Sequence, residues 1–283
     1  MIILRPPFNQ LWNDKNPFDE VEKLRGETFR SVKTRRTIRF EVNGEAFYLK
    51  LHHGITYREF FKNILSFKIP VCGARNEWSA INRLKEIGVD TMEGAAFGET
   101  GLNPIRKTSF IITKEIAPAI SLEDFCKDWK NNPPSFSLKR SIIKKVAEMV
   151  RKMHASGVNH RDCYLCHFLL SIPLTTHSDL KISVIDLHRA QIRKNVPKRW
   201  RDKDLVALYF SSLDTNLSKN DYFYFLKHYF PNLKLSEILA KEKHLLDTID
   251  SKAQKIKERT ANVFFPNVKI QITADPHYAG LPS

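Results

Sequence analysis

The stretch that decides the fold is Asn159-His-Arg-Asp-Cys-Tyr-Leu-Cys-His167, and a second short stretch, Val184-Ile-Asp-Leu187, follows further along the chain. Each contains one aspartate in an ordered setting. Residues 137–156, just upstream of the first stretch, carry apolar side chains at helical spacing and basic side chains on the opposite face, and Gly157 is a typical helix stop. Asp162 is therefore expected in the turn that follows a well-packed helix.

The second aspartate, Asp186, ends a short strand, because residues 181–186 alternate Ile182 and Val184 with other side chains. A single aspartate is most simply a turn former or a solvated acid. An ordered pair in this setting is typical of phosphoryl transfer, in which one carboxylate takes the proton of a hydroxyl and the other holds Mg²⁺ against nucleotide phosphates. We therefore interpret Asp162 as a catalytic base and Asp186 as a metal ligand.

The composition is that of an ordinary globular protein. The chain has 283 residues, of which 42% are hydrophobic and 27% charged, enough for one large domain or two smaller ones. No apolar run approaches the roughly 18 residues of a membrane span, and no apolar signal segment opens the sequence. The four cysteines are too few and too scattered for a disulfide framework. We expect reduced cysteines in a cytoplasmic protein.

The chain is strongly basic, with a formal net charge of +15. The charge is concentrated in residues 25–39 and 189–203. An excess of this size attracts a polyanion, namely nucleic acid, an anionic membrane face or an acidic protein. A solvated surface is the simpler interpretation for any one cluster, but the total favours an anionic partner.

The amino-terminal third is rich in strand patterns, which cover residues 27–33, 36–42 and 45–51. Asn43-Gly44, between the last two strands, is a strong hairpin signal. Alternation places Phe47 and Leu49 on one face of the sheet and Tyr48 and Lys50 on the other. A helix is expected over residues 75–87 and a further strand over residues 109–115.

Helical patterns dominate from about residue 202 onward, over residues 205–210, 222–230 and 235–259. Phe223, Leu226 and Phe230 have helical spacing and are expected in the core. The order of elements predicts an α+β fold with a small β-rich lobe over residues 1–116 and a mostly helical lobe over residues 117–283. We expect the boundary near residues 116–121 and assign no structure to the tail after about residue 262.

These features resemble the protein-kinase-like superfamily, and closely the lipopolysaccharide core heptose kinases, which phosphorylate heptose I of the inner core. The resemblance covers roughly residues 1–260. It rests on Arg35-Arg-Thr37, Phe47-Tyr-Leu-Lys50, Glu77-Trp78, Phe110-Ile-Ile-Thr113, Asn159–Phe168, Val184–Gln191 and Lys198–Asp204. It implies a bilobal protein-kinase-like fold that uses ATP and Mg²⁺.

The resemblance also implies roles for individual residues. Lys50 matches the strand lysine that holds the α- and β-phosphates of ATP, and Glu77 matches the helix carboxylate that pairs with it. Asp162 matches the catalytic base, and Asp186 the metal-binding aspartate. Glu115 lies at the expected hinge between the lobes, whose backbone would meet the adenine. A lysine on a strand is a fixed charge for phosphate, and a glutamate on a helix keeps its ammonium aimed.

Two positions depart from the protein-kinase pattern. His167 stands where protein kinases usually have asparagine, and an imidazole is a softer ligand for Mg²⁺ than an amide carbonyl. We leave two interpretations of His167 open, as a metal ligand and as a structural residue. No glycine-rich loop precedes Lys50, and that turn instead offers the basic residues of the stretch 33–36, either as cations for phosphate or as a basic surface. The stretch reads Lys33, Thr34, Arg35, Arg36.

The segment Cys163-Tyr-Leu-Cys166-His167 also spells the pattern of haem attachment, C-x-x-C-H. Covalent haem attachment requires an exported, oxidising setting, which the rest of the sequence does not favour. A zinc site would use the two cysteines with His160 and His167, but no second spaced pair of ligands accompanies them. The simplest interpretation is that both cysteines pack beneath the catalytic loop.

The residues alone lead to a phosphotransferase, and the resemblance implies the acceptor. It implies transfer to heptose I, at O4, of a lipid A–core lipopolysaccharide at the cytoplasmic face of the inner membrane. The expected partners are this acceptor, the anionic inner-membrane surface and, as a further candidate, an acidic protein, and no nucleic acid is expected. The alternatives are a kinase with a protein substrate and a non-catalytic basic binding module with a pseudokinase fold.

Overall fold

The computed structural model describes residues 1–32, 34–54, 73–101, 107–174 and 180–264. The fold is α+β and bilobal, as the sequence predicted. The amino-terminal lobe is built on a six-stranded antiparallel sheet, whose strands lie in the order β1-β5-β6-β4-β3-β2. The strands are β1 Ile2–Leu4, β2 Glu27–Val32, β3 Arg35–Val42, β4 Glu45–His53, β5 Glu93–Thr100 and β6 Thr108–Lys114.

A tight hairpin joins β3 to β4. Asn43 and Gly44 both have positive φ, 53° and 75°, which is the backbone that an Asn-Gly hairpin turn requires. The resulting register pairs Thr37 with Lys50, and side chains along a strand alternate between the two faces. Leu49 is fully buried, whereas Lys50 projects from the other face. The predicted facing of this strand is therefore correct.

The Leu49 face of the sheet is covered by two short helices from the amino terminus, α1 Phe8–Leu11 and α2 Pro17–Lys23. Phe8 and Trp12 lie in a cluster of buried aromatic and aliphatic side chains with the residues of β3, β4 and β6. Phe8 meets the ring of Phe47 edge to face at 5.1 Å. This layer closes one side of the sheet and leaves the Lys50 side for the rest of the molecule.

Helix α3, Arg75–Glu86, packs on the side of the sheet that carries Phe97 and Ile111. Trp78 stacks on Phe97 with ring centroids 5.3 Å apart. One turn of the helix therefore faces the sheet, and the neighbouring Glu77 is buried with 1% of its surface exposed. The packing of Trp78 brings a carboxylate to the lysine-bearing face.

The carboxy-terminal lobe is mostly helical. Its long central helix is α5, Phe136–Ala155, which follows α4, Leu122–Cys126. The side chain of Ser135 caps the amino end of α5 by accepting a hydrogen bond from the Leu138 N–H. Gly157 ends it with φ 81°, and a Cβ there would lie 1.8 Å from the carbonyl oxygen of Arg193. Only glycine fits at this crossing, which lies just before the loop that carries Asp162.

Short strands and further helices complete this lobe. The strands β7 Ala119–Ser121, β9 Phe168–Ser171 and β10 Ile182–Val184 form one sheet, and β8 Val158–Asn159 pairs with β11 Gln191–Ile192. The later helices are α6 Lys198–Ser212, α7 Lys219–Tyr229, α8 Leu235–Lys241 and α9 Lys243–Phe264. The single helical pattern over residues 235–259 is thus two helices, which meet at Glu242. Among the described helices, none is long and apolar enough to cross a membrane.

Candidate active site

The lysine, the glutamate and one of the two aspartates identified in the sequence meet at one point. Lys50 Nζ lies 2.7 Å from Glu77 Oε1 and 2.8 Å from Asp186 Oδ1. Strand β4 supplies the lysine, α3 supplies the glutamate, and the turn after β10 supplies the aspartate. The three residues lie far apart in the sequence, so the contact depends on the packing of both lobes.

The pKa values follow from this contact. Burial by itself would lower the pKa of Lys50, but the carboxylates of Glu77 and Asp186 outweigh it and raise the pKa above its ordinary value. Burial would likewise raise the pKa of Asp186, yet the hydrogen bond from His188 and the charge of Lys50 hold it well below its usual range. Near neutral pH the site therefore holds a charged ammonium and an ionised carboxylate.

The turn that carries Asp186 has an unusual backbone. Asp186 adopts φ 57° and ψ 51°, a left-handed conformation that aspartate tolerates better than most residues. His188 Nδ1 donates to Asp186 Oδ1 over 2.9 Å and lies in the helical turn Leu187–Arg189 that follows. The hydrogen bond orients the carboxylate from one side while Lys50 holds it from the other.

The loop that carries Asp162 is ordered by two stacked histidines. The rings of His160 and His167 lie 5.5 Å apart and nearly parallel, at 8°. His160 Nε2 donates to the carbonyl of Ile185 over 3.0 Å, and its Nδ1 accepts from the Asp162 N–H over 3.3 Å. His160 is fully buried, and burial lowers the pKa of its imidazole. A neutral His160 with the proton on Nε2 satisfies both bonds and ties the loop to the strand end before Asp186.

His167 connects the two aspartates. Its Nδ1 donates to the Asp162 carbonyl over 2.7 Å, and its Nε2 lies 3.7 Å from Asp186 Oδ2. In the neutral form with the proton on Nδ1, the lone pair of Nε2 is on the side of Asp186. Histidines that bind metals commonly donate their other ring N–H to a backbone carbonyl. The surroundings of His167 therefore fit both interpretations that the sequence left open.

Asp204 supports this loop, although the sequence did not single out this residue. Asp204, 1% exposed, accepts hydrogen bonds from the backbone N–H of His160 (2.6 Å) and of Arg161 (2.8 Å). His154 Nε2 lies 3.2 Å from the same carboxylate, and the Nδ1 of His154 contacts the Tyr229 hydroxyl at 2.7 Å. These bonds hold Arg161 at φ 73°, a strained conformation for a non-glycine residue. An acid directly before the apolar run 205–208 was the signal available in the sequence.

The carboxylate of Asp162 has one close side-chain neighbour. Arg189 Nη1 donates to Asp162 Oδ1 over 2.6 Å. Within the described part of the chain, Asp162 Oδ2 accepts no hydrogen bond, and the side chain retains 17% of its exposure. One oxygen is therefore available to a bound hydroxyl while the other is held in place.

Glu115 lies outside this cluster. Its carboxylate accepts two hydrogen bonds from Arg39, each 2.9 Å, and a third from the Tyr48 hydroxyl. Its backbone N–H donates to Ala46. The Arg39 guanidinium, the largest influence, lowers the pKa of Glu115. The side chain thus fastens the end of β6 to β3 and β4, and only the backbone carbonyl of Glu115 is left for a ligand.

The basic residues of the stretch 33–36 lie between β2 and the start of β3 and have different surroundings. Lys33 lies outside the described residues. Arg36 donates to the carbonyl of Val21 over 2.7 Å and so holds α2. Arg35 pairs with His52 across the strands, on the face that carries Lys50. Burial, followed by the charges of Arg35 and Lys50, lowers the pKa of His52 to about 3.

The two cysteines that follow Asp162 are packing residues. Cys163 is fully buried in the main core and Cys166 is half-buried. Burial raises the pKa of Cys166 to about 11 and that of Cys163 well above its ordinary value, so neither thiol is poised as a thiolate. Among the described residues, no group of three or more His, Cys, Asp and Glu side chains is arranged around a common metal position.

Comparison with known proteins agrees with this geometry. Residues 19–229 match the family model described as the lipopolysaccharide kinase (Kdo/WaaP) family. The chain belongs to this family. The lipopolysaccharide core heptose(I) kinase WaaP of Escherichia coli is 56% identical over 261 residues, which are 92% of this chain and 98% of that protein. WaaP of Pseudomonas aeruginosa is 51% identical and covers 91% of this chain and 96% of its own.

A solved structure described as WaaP in complex with acyl carrier protein is also similar. It superposes with a TM-score of 0.80 at 47% identity and covers 90% of this chain and 98% of its own. The resemblance stated from the sequence and the bilobal kinase-like fold are thereby confirmed. This lipopolysaccharide kinase is a phosphotransferase, and kinases use ATP.

Proposed function

We propose that this lipopolysaccharide kinase transfers the γ-phosphoryl group of ATP to O4 of heptose I, on a lipid A–core acceptor. The similarity to heptose(I) kinases over nearly the whole chain supports the acceptor. The observation that carries the chemistry is the contact of Lys50 with both Glu77 and Asp186, joined to the Asp162 loop through His167. Phosphoryl transfer requires mainly positioning and charge stabilisation, and this arrangement supplies both.

The acceptor hydroxyl is assigned to Asp162. Its free Oδ2 accepts the proton as the oxygen attacks phosphorus, and Arg189 holds Oδ1 during that step. The loop is rigid because Asp204 binds two of its backbone N–H groups. Because the base and the acceptor hydroxyl are both held in place, proton transfer does not require a bimolecular encounter.

The nucleotide phosphates are assigned to Lys50, which Glu77 keeps charged and aimed. Asp186 and, on the second interpretation, His167 Nε2 are the candidate ligands of Mg²⁺, because the carboxylate is ionised and the imidazole lone pair is on its side. When bound, Mg²⁺ neutralises charge that develops on the phosphate oxygens. Arg35 and His52, on the same sheet face as Lys50, take the place of a glycine-rich loop.

The adenine is assigned to the hinge backbone at residues 115–117, where we place the boundary between the lobes. Among the described residues, the Glu115 carbonyl and the N–H groups of Ile116 and Ala117 take part in no backbone hydrogen bond. One acceptor and two donors are therefore available on a short segment that follows β6. The edge of adenine carries both a hydrogen-bond donor and an acceptor, and this segment offers a partner for each.

The test is in vitro transfer with purified protein, Mg²⁺, ATP and lipid A–core acceptor, followed by mass spectrometry and mapping of the new phosphate on the sugar. We expect one added phosphate on heptose I at O4 with the wild type. The Asp247→Ala variant, which changes an exposed aspartate of α9, is the matched control for substitutions at Asp162. Phosphate on another sugar, or on protein but not on the acceptor, would refute the proposed substrate.

We further propose that the enzyme works in the cytoplasm, peripherally at the inner face of the inner membrane. The acceptor is an amphiphile in an anionic surface, and exposed basic residues such as Lys194, Lys198 and Arg199 are available to that surface. Each is worth about 1 kcal/mol near such a surface, within a Debye length of about 8 Å. We expect binding to anionic vesicles that falls steeply with salt and is weakened in the Lys198→Glu, Arg199→Glu variant, and no binding to zwitterionic vesicles. Salt-insensitive binding to both vesicle types would contradict this.

An acidic protein is the second anionic partner that we propose, and an acyl carrier protein is the candidate. A structure of WaaP contains that protein, and the net charge of +15 favours an acidic partner. The test is titration calorimetry with purified acyl carrier protein at low and high salt. The absence of binding at low salt would refute the proposed partner and would not bear on the proposed kinase activity.

A further inference from the structure

The first turn of α6 and the catalytic loop together hold an excess of positive charge around Trp200. The ring of Trp200 has four cationic groups at 5.2–5.8 Å from its centroid. These groups belong to Arg161, Arg193, Arg199 and Lys203. Arg189 adds a fifth cation through its contact with Asp162. We call these five residues and Trp200 the Trp200 cluster.

The acids that face the Trp200 cluster are few. Asp162 accepts a hydrogen bond from Arg189. Asp204 already accepts hydrogen bonds from two backbone N–H groups and contacts His154. The other acid on this helix face, Asp202, is bound by Arg201. Partial burial, and then the neighbouring Arg161 and Arg189, lower the pKa of Lys203. The same causes, burial followed by Arg189, lower the pKa of Arg161. The cations therefore repel one another without enough negative charge to balance them.

Donor groups in the cluster lack acceptors. Within the described residues, Lys203 Nζ has no hydrogen bond or ion pair and meets only the Trp200 ring. The Nε of Arg161 is buried and has no hydrogen-bond partner among those residues. Arg193, by contrast, donates hydrogen bonds to the side chains of Asn159 and Gln191. A buried donor without an acceptor is costly, and an anion bound beside Lys203 and Arg161 would supply the acceptor.

The start of α6 strengthens the positive potential at this place. The helix runs for 15 residues, its first turn holds no acid, and no side chain caps its amino end. The amino end of a helix favours negative charge, yet Lys198, Arg199 and Arg201 occupy it. Glu242 compensates Arg201 and Lys198, whereas Arg199 has no ion pair among the described residues, and an anion bound nearby would stabilise this end of the helix.

We propose that Arg161, Arg189 and Lys203 bind an oxyanion of the acceptor, a carboxylate or a phosphate, and thereby place its hydroxyl against Asp162. The inference rests on the proposed function, because it describes the acceptor side of the same site. Arg189 is the link, since it holds Asp162 with one nitrogen and, among the described residues, has no partner for its other donors. Guanidinium groups match carboxylate and phosphate geometry, so two of the three contacts are directional.

The source of the oxyanion is one of two groups near the accepting sugar. A carboxylate would come from an acidic sugar of the acceptor, and a phosphate would come from its lipid. Two modified acceptors separate them: one with its sugar carboxylates converted to methyl esters, and one with its lipid phosphates removed. Because Lys203 is exposed, the Lys203→Gln variant removes one charge without disturbing the core.

The experiment measures KM for the acceptor and for ATP in the wild type, in Lys203→Gln and in Lys203→Arg, with unfolding temperature as a check of the fold. Lys219→Gln is the matched control, because Lys219 also lies over an aromatic ring, that of Phe223 at 5.6 Å, but on α7. We expect Lys203→Gln to raise the acceptor KM about tenfold or more, the size of one charge-assisted hydrogen bond. Its KM for ATP should not change, and Lys203→Arg should recover most of the loss.

The modified acceptors decide between the sources. If the carboxylate is bound, the methyl ester should have a high KM with the wild type and show no further effect of Lys203→Gln, and the same pattern with the phosphate-free acceptor identifies the lipid phosphate. An unchanged acceptor KM in Lys203→Gln, or an equal effect of that variant on both modified acceptors, would overturn the inference. Failure of the wild type to phosphorylate lipid A–core would instead refute the proposed function.

Discussion

The Lys50 group and the Trp200 cluster are linked through His167 and Asp162 but are balanced differently. At Lys50 one ammonium lies between two carboxylates, so the charges compensate within the protein. In the Trp200 cluster four cations surround the ring, and a fifth, Arg189, binds Asp162, the one available carboxylate. In the first arrangement the ammonium has its counter-charge before any ligand binds. The second has positive charge that the described protein leaves uncompensated.

The difference in charge balance matches the ligand that we propose for each group. A nucleotide phosphate arrives with a divalent cation that offsets part of its charge, so a preorganised group that already contains its own counter-charges suffices to orient it. An anionic sugar–lipid acceptor brings negative charge alone, so the protein must supply the counter-charge. Substitution of Asp162 tests the acceptor side, and substitution of Asp186 tests the nucleotide side. Substitutions of the residues around them are expected to have smaller effects.

Asp162→Ala should abolish transfer and leave ATP binding nearly intact. A positioned general base contributes typically 10²–10⁴-fold, about 3–5 kcal/mol of barrier. The measurement is single-turnover transfer to the acceptor, with nucleotide binding followed separately by thermal shift. Near wild-type turnover in the folded variant would remove the central assignment.

Asp186→Asn should lower metal–nucleotide affinity and turnover together, because the loss affects both Lys50 and the metal. Loss of supporting groups at metal sites costs 10–100-fold in affinity, and we expect at least about this much for a ligand. The measurement is the ATP-dependent shift of the unfolding temperature with and without Mg²⁺. An unchanged Mg²⁺-dependent shift would show that the metal is held elsewhere.

Asp204→Ala should destabilise the protein and misplace the catalytic loop. The variant leaves the N–H groups of His160 and Arg161 without their acceptor, and each buried unsatisfied donor costs about 1–3 kcal/mol. Chemical denaturation gives the change in the free energy of unfolding, with the exposed Asp247→Ala as control. A loss below about 1 kcal/mol would mean that water satisfies the loop.

His167→Asn separates the two interpretations of that residue. Asparagine keeps an oxygen ligand for Mg²⁺ but loses the bond from Nδ1 to the Asp162 carbonyl. If His167 is a metal ligand, we expect substantial activity with Mg²⁺ in a steady-state assay. Complete inactivity of the folded variant would favour the structural role.

His52→Gln should make stability less sensitive to mild acid. Folding lowers the pKa of His52 to about 3, so between that pH and the ordinary histidine value the unfolded state binds one more proton and stability falls as pH falls. At about 1.4 kcal/mol per pH unit, wild type should lose about 2 kcal/mol between pH 6.5 and 5 through this residue. Denaturation at both pH values tests this, with the exposed His244→Gln as control. Equal losses in His52→Gln and wild type would disprove the contribution.

Much of the local structure could be read from the sequence. Asn43-Gly44 and the alternation around Lys50 predicted the hairpin and its facing, and the apolar stripe of α5 predicted the helix before the catalytic loop. Core membership in α7 was harder. Phe223 and Leu226 were expected inside, but Tyr229 is the buried residue, with Phe225 and Phe230 packed against the core. A helix rich in aromatic residues has several apolar faces, and its neighbours decide which one is buried.

The sequence by itself determined the residue types of the site and the local elements that carry them, because strand alternation, turn chemistry and helix stops act over a few neighbouring residues. It also indicated the excess of basic residues. The tertiary structure alone decided which of those residues meet: that Glu77 and Asp186 share Lys50, that Glu115 belongs to Arg39, and that Asp204 holds the loop of Asp162. Charge interactions depend on distance and burial, and both are set by the packing of elements that lie far apart along the chain.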